Sequence, residues 1–125
     1  MTRIAAALLL PVALAASAGA GRDPLAGRAA GKPVNCVTLA RNASPEIVDK
    51  RTILYRGTDR RIWRTGPVGS CPSLRPLNTL IIDVYGPQLC RNDRFQVLAP
   101  NTAIPGPICR FDRFTPYDLP RGRSG

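Results

Sequence analysis

The sequence predicts a small all-β fold: an antiparallel sheet or partly closed barrel of about five to six strands, stapled by disulfides. Three observations lead there. Short β-branched and aromatic runs recur between residues 35 and 111. Thirteen prolines and eleven glycines punctuate those runs, and no stretch beyond the first 20 residues keeps a 3.6-residue period over a helix length. Four cysteines, an even number, suit a unit too small to rest on a large hydrophobic core.

The chain opens like an export signal. Met1-Thr2-Arg3 is a short positive start, and Ile4 to Ala16 is apolar except for the break at Pro11. Ala16-Ser17-Ala18 and Ala18-Gly19-Ala20 both fit a small-x-small cleavage site, so residues 1–18 are read as a signal peptide. The apolar run has 13 residues, and a bilayer span takes about 20, so no transmembrane anchor is expected. Residues 19–34 mix Gly, Ala, Pro and basic side chains and read as a flexible leader. Residues 35–117 form the expected β domain, and 118–125 a disordered tail. The expected location is periplasmic or secreted.

The strands follow in order. Asn35 to Leu39 is a short β-like run, and Ile47-Val48 follows the Ser44-Pro45 break. Arg51 to Arg56 and Arg61 to Thr65 flank Gly57-Thr58-Asp59-Arg60, a glycine-containing link that signals a hairpin. Leu80 to Tyr85 is ended by Gly86-Pro87. Asp93 to Leu98 alternates and stops before Ala99-Pro100, and Ile108 to Phe111 is the last expected strand. Pro72 and Pro76 limit any helical turn around Ser73 to Leu77.

In an oxidising compartment Cys36, Cys71, Cys90 and Cys109 are expected to form two disulfides. Four cysteines allow three pairings. Cys36–Cys109 with Cys71–Cys90 is favoured, because Cys36 opens the first expected strand and Cys109 the last, so joining them closes a small sheet. Metal binding is not expected: there is no C-x-x-C pair and no histidine.

Composition narrows function further. The chain has 125 residues, 18 basic and 8 acidic side chains, and a net charge of +10. The lack of histidine removes Ser-His and Cys-His nucleophile systems and the commonest base near neutral pH. There is no G-x-S-x-G and no Gly-rich phosphate loop, so no catalytic residue and no cofactor is assigned. Asp49, Asp83, Asp93 and Asp112 fall near strand ends, each with arginine close in sequence. Salt bridges and turn hydrogen bonds are their expected use, rather than a paired-carboxylate hydrolase.

The landmarks run Cys36-Val37, Val48-Asp49-x-Arg51-Thr52-Ile53, Cys71-Pro72-x-Leu74, Leu89-Cys90-x-x-Asp93-x-Phe95-x-Val97 and Cys109-x-Phe111-x-x-Phe114-x-Pro116. This arrangement, over residues 35–117, resembles a family of small exported proteobacterial proteins classified as a domain of unknown function. The resemblance implies fold and export, and no activity.

The 51–65 hairpin interleaves Arg51, Arg56, Arg60, Arg61 and Arg64 with Tyr55 and Trp63. Guanidinium groups suit phosphates and other anions, so Arg56, Arg61 and Arg64 are candidate anion-binding residues. Strand alternation divides these arginines between both faces, which favours a structural role and a buried Trp63. The expected function is a non-enzymatic structural or interaction module. The alternative is a binder of anionic envelope material, such as lipopolysaccharide phosphates. Nucleic acid is not an expected partner of an exported chain.

Overall fold

The arginine-bearing hairpin is the centre of the main sheet. Its strands are β4 (Thr52–Arg56) and β5 (Ile62–Thr65), paired so that Tyr55 lies opposite Trp63 and Leu54 opposite Arg64. In this computed structural model, which describes residues 5–9, 11, 23–38, 44–57 and 60–120, every regular element is a strand. β3 (Glu46–Asp49) pairs with β4 through a bulge between Ile47 and Asp49, and β10 (Thr115–Asp118) pairs with the far side of β5. β1 (Ala29–Ala30) completes a five-stranded antiparallel sheet in the order β1-β10-β5-β4-β3.

Two smaller antiparallel sheets pack across from it. β2 (Cys36–Thr38) pairs with β7 (Gln88–Cys90). β8 (Arg94–Leu98) lies between β6 (Thr79–Ile82) and β9 (Cys109–Arg110). The core forms where the three sheets meet. Ile47 and Ile53 come from the large sheet, Val37 and Leu89 from the pair, and Phe95, Val97 and Cys109 from the third sheet, with Leu74, Phe111 and Phe114 from the connections. β8 shows why it folds so: Phe95 and Val97 are buried while Arg94 is exposed, the two-residue period of a half-covered strand. β4 differs. Its successive residues Thr52, Ile53, Leu54 and Tyr55 are all buried, so it is covered on both faces.

The fold is all-β and antiparallel, with three sheets and two disulfides, and it is not a closed barrel. Among the described residues there are ten strands, several of them only two or three residues long. Three of them carry weak local signals: β1 is two alanines, β7 follows Gly86-Pro87, and β10 contains Pro116. Pro116 is tolerated because its carbonyl, and therefore its ring nitrogen, points to the side where β1 is only two residues long. There the Gly31 N–H donates to its carbonyl at 2.8 Å, and no donor is needed in return.

The favoured disulfide pairing is corrected. Cys36 bonds Cys90, with Cα atoms 4.0 Å apart, and Cys71 bonds Cys109, with Cα atoms 6.1 Å apart. The cause is topological. Cys36 and Cys90 are directly opposed across β2 and β7, so the unforeseen strand β7 occupies the place that β9 was expected to take beside β2. Cys109 instead faces Phe95 on β8, inside the core, where Cys71 is also buried.

Residues on both sides of the expected domain also join the sheets. The expected leader is not free over its second half. Val34 and Phe114 exchange backbone hydrogen bonds at 2.8 and 2.9 Å, and Ala29 and Ala30 sit opposite Asp118 and Tyr117. Arg28 fastens the same segment by donating from Nη1 to the carbonyls of Arg60 and Tyr117. Asp118, assigned to the tail, ends β10. The remainder of the tail from residue 121 and most of the proposed signal peptide lie outside the described residues.

Candidate functional site

The β3–β4 turn presents two cations at one end of the large sheet. The Asp49 carboxylate accepts the Arg51 N–H at 2.8 Å, a side-chain turn that puts Lys50 and Arg51 at the tip. That hydrogen bond is the main reason the Asp49 carboxyl is held below its ordinary range. Contacts with Thr52 and the charge of Arg64 act in the same direction, against partial desolvation. Asp49 therefore remains an anion that shapes the turn.

The next strand adds Arg64. Immediately after it the chain turns tightly against the 111–114 segment. The Asp112 N–H donates to the Gly66 carbonyl at 2.9 Å, and the Thr65 hydroxyl donates to the Asp112 carbonyl at 3.0 Å. These two bonds bring Arg113 beside the end of β5. The result is a hollow of about 280 Å³ bordered by Arg51, Arg64, Arg113 and Asp112, with Pro33 and Pro67 in its walls. A second hollow of about 600 Å³ shares Arg51 and Pro67 and adds Lys50, Gly69, Ser70 and Pro72. Arg51 and Pro67 line both, and the two hollows are called the groove.

Charge in this groove is unbalanced. Asp112 is already engaged: its Oδ1 accepts the Arg113 N–H at 2.8 Å and lies 3.6 Å from Arg91 Nε. Among the described residues, no side-chain charge of Lys50, Arg51, Arg64 or Arg113 has a carboxylate oxygen within 4.0 Å. Three arginines line this one hollow, and guanidinium groups suit a phosphate or another planar or tetrahedral oxyanion through paired N–H donors.

Gly66 makes the geometry possible. A Cβ at this position would fall far inside contact distance of the Arg51 carbonyl, which is backbone and cannot swing away. We expect Gly66→Ala to force Arg51 and the end of β5 apart, at a cost of about 1–3 kcal/mol or more. Chemical denaturation measures it. A variant as stable as the parent would mean that this junction yields easily.

Arg56, Arg61 and Arg64 are not brought into one site. Arg64 borders the groove. Arg56 and Arg61 border a separate hollow of about 360 Å³ near the hairpin loop, with Arg28 and Arg60. Two of its cations already have carboxylate partners. Arg61 holds Asp118 through two charge-assisted bonds of 2.7 and 2.8 Å, and its guanidinium lies 5.2 Å from the Trp63 ring centroid. Arg56 reaches Glu46 at 3.9 Å. Trp63 takes an intermediate course between the two expected outcomes: it is half-buried, packs on the core with one side and carries Arg61 over its ring.

The acids take structural places. Asp93 Oδ2 accepts the Cys90 N–H at 2.7 Å, in the β7–β8 turn where Asn92 adopts a positive φ of 71°. Asp49 and Asp112 accept backbone N–H groups as described above, whereas at Asp83 the bond is made by the backbone N–H, which donates to the Arg94 carbonyl, and not by the carboxylate. Arg51 was visible in sequence as one hairpin arginine among several. Arg113 carried no signal of its own, because its position beside Arg64 depends on a contact across 49 residues of chain.

No family model, no curated protein and no solved structure matches this chain.

Proposed function

We propose that this protein is an exported, non-enzymatic β module of the periplasm or the extracellular space, and that it binds anionic envelope material along the Arg51–Arg64–Arg113 groove. One observation carries the reading: three arginines from three separate parts of the chain line one hollow, and none of them forms a side-chain ion pair among the described residues. The net charge of +10 raises the local concentration of any polyanion. Two disulfides point to an oxidising compartment. The signal-like N-terminus and the resemblance to a family of small exported proteins support the same location. Lipopolysaccharide phosphates represent the ligand chemistry.

The test is binding of the oxidised full chain to vesicles containing lipopolysaccharide, with neutral phosphatidylcholine vesicles as reference. Three or four phosphate contacts with counterion release predict roughly a tenfold to hundredfold loss of affinity between about 50 and 200 mM salt. Arg51→Gln and Arg113→Gln are expected to weaken binding, while Arg56→Gln leaves it unchanged. Equal loss in all three variants, or binding indifferent to salt, would remove the groove as the site.

A further inference from the structure

The free edge of β6 belongs to a different sheet from β5 and β10, whose residues Arg64 and Thr115 line the basic hollow. In the three-stranded sheet β6 pairs with β8 only, in a register that sets Ile82 opposite Phe95 and Ile81 opposite Gln96. The Asp83 N–H continues that ladder by donating to the Arg94 carbonyl at 3.1 Å. Hydrogen-bonded positions alternate along an antiparallel strand, so Thr79 and Ile81 also direct their backbone groups to β8. Leu80 and Ile82 therefore direct their N–H and C=O groups outward, and no strand among the described residues takes them.

Natural edges of this kind are blunted by Lys, Pro or a bulge. Within Thr79–Ile82 there is none of these. Apolar side chains stand exposed on and beside the strand: Leu77 at 91%, Tyr85 at 83% and Ile81 at 37%. Charge separates this region from the rest of the chain. Residues 76–109 carry only Asp83, Arg91, Asp93 and Arg94, a balanced set, in a chain of net charge +10. Two cationic copies meet least repulsion here.

We propose that β6 is a homodimer interface, in which two copies pair their β6 strands antiparallel about a two-fold axis through Ile81. This register is set by the outward groups: Leu80 of one copy exchanges hydrogen bonds with Ile82 of the other, and both directions are satisfied. The side chains then match themselves. Ile81 meets its own counterpart. Leu80 lies opposite Ile82, and both already pack against the core, so the two cores join along the edge. Beyond the strand ends, Leu77 comes opposite Tyr85, which pairs the two most exposed apolar residues of the region. The contact is isologous and closes at two copies, so it buries the edge without propagating.

The full chain, with both disulfides formed, is tested by analytical ultracentrifugation over a range of concentrations. A rise in mass from one chain to two is expected. Salt should leave that association unchanged or strengthen it, the opposite of its effect on polyanion binding, so the two readings fail separately. Ile81→Lys and Tyr85→Lys should each move the midpoint to roughly tenfold higher concentration or beyond, with circular dichroism unchanged. Register is read by cross-linking. Under oxidation Ile81→Cys should form a covalent dimer, because its copies face each other across the axis. Thr79→Cys should not, since its copies are offset by four residues, about 13 Å. A single-chain mass throughout, association that Ile81→Lys and Tyr85→Lys leave intact, or equal cross-linking of the two cysteine variants would each overturn the proposal.

Discussion

Phe95→Ala is expected to remove a large share of the protein's stability. Phe95 is fully buried, and its ring centroid lies 4.4 Å from that of Phe111, which in turn lies 6.0 Å from that of Phe114. These rings join β8 to the 111–114 segment, so the loss reaches two parts of the fold at once. Truncating a buried phenylalanine costs about 3–5 kcal/mol, the lost transfer term plus the cavity left behind. A small domain has roughly 5–15 kcal/mol in all. In a unit this size the melting temperature should fall on the order of 10–40 °C. Calorimetry with the disulfides intact measures it, and Ile104→Ala, which trims an exposed side chain, serves as the reference expected within about 0.5 kcal/mol of the parent. A Phe95→Ala loss below about 1 kcal/mol would mean that the three sheets close over the gap.

Removal of the buried disulfide is the second large effect. Loop closure alone distinguishes the two bridges poorly. Separations of 38 residues for Cys71–Cys109 and 54 for Cys36–Cys90 give about 4 kcal/mol each on the chain-entropy model. Burial separates them. Cys71 and Cys109 belong to the core cluster, whereas Cys36 and Cys90 are half-buried on a two-stranded sheet. Cys71→Ala with Cys109→Ala therefore loses packing as well as the cross-link. The pair should cost about 2–5 kcal/mol and exceed the Cys36→Ala, Cys90→Ala pair in urea denaturation. Greater loss from the second pair would mean that β2 and β7 depend on their cross-link more than the core depends on its own. Peptide mapping under non-reducing conditions checks the connectivity directly: it should yield Cys36 linked to Cys90 and Cys71 to Cys109.

Strands β2, β3, β4, β5, β6, β8 and β9 were legible in the chain within a few residues, because alternation, β-branching and Gly/Pro stops act between near neighbours. The Asp93 turn was legible for the same reason: its carboxylate reaches a backbone N–H only three residues away. β1, β7 and β10 were not. Two alanines, a tripeptide after Gly86-Pro87 and a strand containing Pro116 carry little preference of their own, and become strands because a partner already offers its edge. The candidate site divides likewise. Arg64 was legible as a hairpin cation, but its distance from Arg56 and Arg61 and its meeting with Arg113 were not.

The sequence by itself thus determined an antiparallel all-β chain, an even set of cysteines and a strong positive charge, all of which depend on composition and short-range order. Only the tertiary structure decided which cysteines bond, which arginines share a hollow and which strand is left with an open edge. Those outcomes join residues tens of positions apart. A strand's local pattern states which side is buried, but the identity of its neighbour is chosen by packing the whole core at once.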